Sequence, residues 1–286
     1  MSWFPGHMAG VPRTLARHIK LVDAIVEVAD GRAPASSRHP GIPGMVGARP
    51  RLLVLSHLDL ADERSLHRWQ RHLAERGEMV AAVDTRTGRG MGEVWHLLHR
   101  VDKQRPPRTW QRPLRLMVVG VSNVGKSTLL NQLAGGRLAR TGALPGVTRG
   151  QQWVRRQSRG RAGQELEILD LPGLVPPRLV PDTAWKLVAL GIVPWGTIPY
   201  PEVVEPLLVA LPGERLRARY GDCTGDWGQF LDCIAQRRGL LMAGGEGDRE
   251  GAARVLVKDL QEGRLGPVCL DEPPAGFTSG PGEVGT

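Results

Sequence analysis

"VVGVSNVGKSTLLNQLAG", Val118–Gly135, decides how the rest of the chain is read. Gly120 through Ser127 fit the G-x4-G-K-[ST] pattern of a phosphate-binding loop. An apolar strand pattern precedes the loop and a helical pattern follows it, which is the context such a loop needs. Gly120 and Gly125 let the backbone turn tightly and aim its N–H groups at phosphate oxygens. Lys126 is placed to reach the β- and γ-phosphates, and Ser127 to hold Mg²⁺ through its hydroxyl. The positive end of the following helix adds to the attraction. Asn123, Val124 and Thr128 complete the nucleotide contacts expected from this segment.

Two fragments follow where a nucleotide switch needs them. "LPGVTRG" (144–150) carries Thr148, which can close on Mg²⁺ and the γ-phosphate. "ILDLPGL" (168–174) puts Asp170 at a strand end, able to hold the Mg²⁺ shell, and lets the Gly173 N–H face the γ-phosphate. In this order they point to a switch NTPase rather than a metabolite kinase.

A GTPase also needs a guanine reader, usually Asn-Lys-x-Asp after a strand, with a second base loop after the next strand. Neither occurs downstream of Lys126. Upstream, "RLLVLS" (51–56) reads as a strand followed by Ser56-His57-Leu58-Asp59, and "EMVAAVD" (78–84) as a strand leading into Asp84-Thr85. Ser56, His57, Leu58, Asp59, Asp84 and Thr85 are therefore the candidate base contacts. The domain is read as circularly permuted, its former ends joined by the basic, proline-broken linker 103–113, "KQRPPRTWQRP". Domain termini lie at the surface and often close together, so permutation is physically allowed.

The remaining pattern agrees. "DAIVEVAD" (23–30), "LRLMVVG" (114–120), "GQQWVRRQ" (150–157) and "ELEILD" (165–170) read as further strands, the last two as a hairpin. Helices are predicted at 8–22, 61–77 and 91–102. After Pro177 strand signals stop, and helices are predicted at 181–190, 202–211, 226–238 and 248–262. The predicted fold class is α/β: a circularly permuted P-loop GTPase domain with a mostly parallel sheet covered on both faces, then a small all-helical domain. The predicted units are an amphipathic segment at 1–22, the permuted domain at 23–177, a helical RNA-binding domain at 178–270 and a disordered Pro/Gly-rich tail at 271–286.

Composition sets outer bounds. The 286 residues are 41% hydrophobic and 23% charged, as in soluble globular proteins. No apolar run approaches the ~18 residues of a membrane span, and no signal peptide is expected. Cys223, Cys233 and Cys269 are expected to be free thiols, without a zinc pattern. Net charge is +9 and only five of the 38 basic residues are lysines. An arginine-rich excess fits phosphate recognition and a nucleic-acid partner.

The chain resembles the YlqF-type circularly permuted GTPases, the ribosome biogenesis GTPase A family. The resemblance spans roughly residues 2–272 and rests on several motifs in one order. They are "WFPGHMA" (3–9), "VEVADGRAP" (26–34) with "SSRHP" after it, "GVSNVGKSTLLN" (120–131), "PGVTRGQQW" (145–153), "LDLPG" (169–173) and "RRGLLMAGGEGD" (237–248). It implies a cytoplasmic GTPase, monomeric off the ribosome, that acts late in assembly of the large (50S) ribosomal subunit and touches rRNA through its helical domain. It implies GTP and GDP as ligands, with Mg²⁺ and K⁺. Asn123 would hold K⁺ beside the phosphates, and His7 would orient the attacking water. Lys126 and Thr148 complete the implied catalytic set. Ras-like enzymes place a glutamine after the DxxG glycine; here that residue is Leu174, a hydrophobic substitution the family shares. Slow turnover accelerated by the ribosome follows.

The chain departs from the pattern at the guanine motif, where Ser56 and His57 replace Asn and Lys while Asp59 is retained. Two alternatives therefore stay open: a P-loop NTPase of relaxed base specificity, and a nucleotide-gated RNA-binding module with negligible hydrolysis. In the helical part, Arg215, Arg217, Arg219, Arg237, Arg238, Arg254, Lys258 and Arg264 are the candidate rRNA contacts.

Overall fold

The computed structural model describes residues 18–106, 112–135, 152–156, 165–170, 174 and 179–273. One sheet of six strands has the order β3-β2-β1-β4-β6-β5. The strands are β1 Ala24–Asp30, β2 Arg51–Ser56, β3 Met79–Ala82, β4 Leu114–Val119, β5 Gln152–Arg156 and β6 Leu166–Asp170. Neighbours are parallel except β5, which runs antiparallel to β6. Strand β4 leads into the phosphate loop and lies inside the sheet, with β1 on one side and β6 on the other. Segments before the loop thus build one half of the sheet and segments after it the other half. This is the arrangement expected of a permuted P-loop domain.

The join is held by charge. Asp23 accepts from Arg112 Nη2 at 2.6 Å, from Arg105 Nη1 at 3.2 Å and from the Arg115 backbone N at 3.0 Å. The two ends of the linker are thereby fixed against the start of β1.

Every residue of β1 is buried, as a strand covered on both faces requires. The period of two sorts them. Ala24, Val26 and Val28 face the larger core with Leu52, Val54, Leu116, Val118 and Ile168. On the other face Ile25 packs with Met117, Val119 and Leu169, and Ala29 with Leu53 and Leu55. Glu27, at the middle of β1, is buried with a partner on each side: Arg38 Nε at 2.9 Å and Arg51 Nη1 at 2.6 Å.

Helices cover the faces. They are the short α1 Ile42–Val46, then α2 Glu63–Glu75, α3 Met91–Lys103 and α4 Lys126–Ala134. In α2, Asp62 caps the N-terminus by accepting from Ser65 N at 2.9 Å. Leu66, Trp69 and Leu73 then recur on one face and bury against Leu53 and Leu55. Each such side chain stabilises by about 1.5–3 kcal/mol. The helical part comprises α5 Pro181–Ala189, α6 Tyr200–Ala210, α7 Gly213–Tyr220, α8 Trp227–Arg238 and α9 Arg249–Gln261. Its core runs without a break into that of the sheet.

The structure corrects several expectations. Of the helix predicted at 8–22, residues 8–17 lie outside the described residues; His18 is helical, Ile19–Leu21 form a 3₁₀ turn, and Val22 is already extended. The chain straightens there because Asp23 N donates to Arg115 O at 2.8 Å, joining the sheet. Helix α7 was not predicted, yet Leu216 and Tyr220, one turn apart, bury into the core. Cys223 and Cys233 are not free thiols but a disulfide with Cα atoms 5.7 Å apart. The positive-φ turn at Gly221 (φ 76°) swings Cys223 from the end of α7 onto α8, a proximity that the ten-residue separation does not reveal. Cys269 is the free thiol, and burial pushes it up to about 12. The expected tail boundary at 271 also moves. Asp271 is buried and accepts from Ala35 N, Ser36 N and Lys186 Nζ at 2.8–2.9 Å. Trp69 Nε1 donates to its carbonyl at 3.0 Å. Residues 274–286 lie outside the described residues.

Candidate nucleotide site

The phosphate loop is shaped by positive φ angles at Gly120 (152°), Asn123 (61°) and Gly125 (86°). A Cβ at Gly120 would sit 2.4 Å from Val28 O, so only glycine lets the loop leave β4 this close to β1. Lys126 is the first residue of α4, is buried, and donates through Nζ to Val121 O at 2.5 Å. Ser127 and Thr128 are exposed in the first turn of α4. Leu129, Leu130 and Leu133 on the opposite face anchor the helix in the core. The parallel register pairs Asp170 with Val118, so the end of β6 lies beside the entry to the loop.

Leu174 meets the same loop. Its N–H donates to Gly120 O at 2.9 Å, and its carbonyl accepts from Ser122 N at 3.2 Å. The side chain is buried with Ile25, Met117 and Val119. A residue at this position that packs into the core cannot orient water.

The two base loops approach from the other half of the sheet. Ser56 Oγ lies 2.8 Å from Val124 O in the phosphate loop and 3.0 Å from Ala29 O. Built on Gly125, a Cβ would meet Ser56 Cβ at 3.4 Å and Thr85 Oγ1 at 3.7 Å. Gln132 on α4 donates to Thr85 O at 3.0 Å. The folded chain therefore brings Ser56, Thr85, Val124, Gly125 and Lys126 into one constellation.

His57 has a positive φ of 54°. Its Nδ1 lies 3.2 Å from Asp30 Oδ2 and 3.0 Å from Ser56 Oγ. Asp30 ends β1, is fully buried, and holds Arg32 through Nε at 3.0 Å, Nη2 at 2.7 Å and the backbone N at 2.9 Å. Burial raises the Asp30 pKa, but the Arg32 guanidinium and the hydrogen bonds from His57 and Arg32 outweigh it and hold the carboxyl well below the usual range. Asp30 and Arg32 were read only as letters of a motif. The signal available was two charges closing an otherwise apolar strand.

Asp59 is exposed, its carboxylate 3.5 Å from Arg86 Nη2. Leu58 is half-buried against the α2 cluster. The Asp84 carboxylate is held by its own turn, accepting from Arg86 N at 2.9 Å, Thr87 N at 3.3 Å and Thr87 Oγ1. Burial raises its pKa, and these hydrogen bonds lower it by more. Asn123 Nδ2 donates to Gly191 O at 2.9 Å, joining the phosphate loop to the helical part. His7, Thr148 and Gly173 lie outside the described residues.

The candidate rRNA arginines divide. Asp259, nearly buried, takes Arg219 Nε and Arg264 Nε at 2.6 Å each. Arg215 donates to Pro267 O, and Arg254 pairs with Glu250 at 2.8 Å. Arg237 and Lys258 are exposed. Arg219 thereby ties α7 to α9, while the Arg254 pair lies within α9.

Comparison with known proteins decides the family. The chain is 34% identical over 285 residues to ribosome biogenesis GTPase A of Priestia megaterium, covering 96% of this chain and 97% of that protein. The chain belongs to the ribosome biogenesis GTPase A family. Ribosome biogenesis GTPase A of Thermotoga maritima is 29% identical over 274 residues, with 96% and 95% covered. Mitochondrial ribosome-associated GTPase 1 of Bos taurus is 30% identical over 296 residues, with 94% and 88% covered. The family model described as 50S ribosome-binding GTPase matches residues 115–189. The GNP-bound structure of YlqF from T. maritima superposes with a TM-score of 0.66 at 26% identity, covering 91% of this chain and 97% of that one. A GDP-bound YlqF structure gives 0.65 at 26% identity, covering 91% and 99%. Membership in the ribosome biogenesis GTPase A family fits a permuted sheet whose halves meet at Ser56 and Val124.

Among the described residues, no helix is long and apolar enough to cross a membrane.

Proposed function

We propose that this chain binds GTP and hydrolyses it to GDP and phosphate while engaging the large ribosomal subunit late in its assembly, in the cytoplasm and as a monomer off the subunit. The observation that carries the reading is the Ser56 Oγ to Val124 O contact at 2.8 Å. It joins a strand-end loop in the position of a base reader to the phosphate loop across 68 residues. A nucleotide with its phosphates on Gly125 and Lys126 would then turn its base toward Asp59. Asp59 is the residue to accept from guanine N1–H and N2–H₂, a charge-assisted pair worth about 1.5–3 kcal/mol.

The donor set fits the groups the reading requires. Loop N–H groups at the positive end of α4 suit phosphate, and Lys126 would leave Val121 O to meet the β- and γ-oxygens. Ser127 and Asp170 would hold Mg²⁺, together with Thr148. Mg²⁺ supplies neutralisation of charge on the transferring phosphoryl oxygens. The Asn123 amide oxygen would ligate K⁺. With Leu174 packed in the core, water orientation falls to another group, for which His7 is the candidate. Slow turnover alone, raised by the subunit and K⁺, is the expected behaviour. Exposed arginines and lysines of the helical part, Arg237 and Lys258 among them, would meet rRNA phosphates.

A second reading, relaxed base specificity, is supported by one observation: the Asp59 carboxylate already faces Arg86 at 3.5 Å, which competes with a base. Titration with fluorescent GDP and ADP separates the two. A preference for GDP of at least ~10-fold supports the first, and equal affinities support the second. Sedimentation with large subunits in GTP analogue and in GDP tests the ribosomal part. Binding that ignores the nucleotide would defeat the switch reading. Phosphate release measured with K⁺ and subunits separates hydrolysis from a silent RNA-binding module.

A further inference from the structure

Away from the nucleotide site, the start of α5, the loop after Val193 and the first half of α6 enclose an open groove of about 980 Å³. Its walls include Trp185, Trp195, Pro194 and Pro199, and its lining carries two exposed carboxylates, Asp182 and Glu202. Among the described residues, no lysine or arginine lines it. The chain as a whole is +9, so this is a local reversal of charge.

The nearby cations do not undo that reversal. Lys186 lies over the Trp185 ring, 5.7 Å from its centroid, and its charge is met by Asp271 at 2.8 Å. Arg254 lies over the Trp195 ring, 5.3 Å from its centroid, and its charge is met by Glu250 at 2.8 Å. Glu250 also accepts from Trp195 Nε1 at 3.2 Å, which fixes the indole orientation. Neither Asp182 nor Glu202 has an ion-pair partner among the described residues. The Trp195 indole is thus fixed by Glu250 and Arg254, while Asp182 and Glu202 remain exposed in the lining.

We propose that this groove docks an extended segment of a protein partner that is rich in arginine or lysine and contains proline. Half-buried tryptophans flanked by prolines offer flat apolar faces of the kind that receive polyproline-II segments, whose low conformational entropy favours binding. Asp182 and Glu202 select a basic segment by charge complementarity. The same carboxylates repel a phosphate backbone, so single-stranded RNA, which also stacks on aromatic rings, is the disfavoured occupant. The helical part then has two surfaces of opposite preference: exposed arginines for polyanion and this groove for polycation.

The test uses the full chain and a short fluorescein-labelled peptide alternating arginine or lysine with proline. Controls are the same peptide with every basic residue replaced by glutamate, and a labelled single-stranded RNA of similar length. Anisotropy should show the basic peptide bound at least ~10-fold more tightly than the acidic one. Asp182→Lys combined with Glu202→Lys should lower basic-peptide affinity by ~10-fold or more, with circular dichroism and GDP affinity unchanged. Both positions are exposed, so this variant keeps the fold. Trp195→Ala should abolish peptide binding and leave RNA binding intact. Absence of basic-peptide binding, indifference to the double charge reversal, or RNA binding lost with Trp195 would each overturn the proposal.

Discussion

Replacing Asp30 by asparagine removes one charge from a fully buried cluster. Arg32, only 3% exposed, keeps its guanidinium but loses its counter-ion. Breaking a buried pair from one side in this way costs about 3–5 kcal/mol, because the remaining charge is uncompensated. That is a large share of the ~5–15 kcal/mol that holds an ordinary domain folded. Arg32 Nη1 already has no hydrogen-bond partner among the described residues, so the pair does not fully repay its desolvation. The double variant Asp30→Asn/Arg32→Met should therefore recover most of the loss. The effect has a pH signature. The folded pKa of Asp30 is depressed, so its contribution is present above the unfolded value of about 3.9 and is lost as pH falls below it. Urea unfolding followed by circular dichroism should show the gap between wild type and Asp30→Asn at neutral pH, narrowing on acidification. GDP affinity should fall as well, since His57 Nδ1 loses its partner at 3.2 Å. An Asp30→Asn variant within about 1 kcal/mol of wild type, a double variant worse than the single, or a gap that widens in acid would refute the reasoning.

Lys126→Ala should abolish nucleotide binding by equilibrium titration, and unchanged affinity would remove the phosphate-site assignment. Asp59→Asn should move preference from GTP toward xanthosine triphosphate by ~10-fold or more; a constant ratio means Asp59 does not read the base. Ser56→Ala deletes the tie to Val124 O and should lower stability by about 0.5–1.5 kcal/mol while weakening GDP binding, both read in one thermal-shift series with and without nucleotide. Affinity for rRNA should fall linearly on a log–log plot against salt, and a flat response would argue against arginine-driven contact.

Where local chemistry dictated conformation, the sequence was read correctly. The glycines at 120 and 125 can take positive φ, and they do. Alternating strand and helix periods foretold the sheet, and Asp62 stands at the helix start that its capping chemistry suits. The errors share one cause. Leu216 and Tyr220 lie on a helix that was not expected, and the core receives both. Asp271 looked like the start of a free tail but is gripped by Ser36 and Lys186.

Order along the chain determined the phosphate-loop pattern and raised the expectation of two switch fragments and a displaced base reader, since each is read as a short local pattern. Tertiary structure alone decided which of those residues meet. Ser56 reaches Val124, and Asn123 reaches Gly191, across 68 residues each. Which arginines are spent inside the fold, and which side of the helical part turns acidic, depend on the packing of whole helices, and no local pattern carries that information.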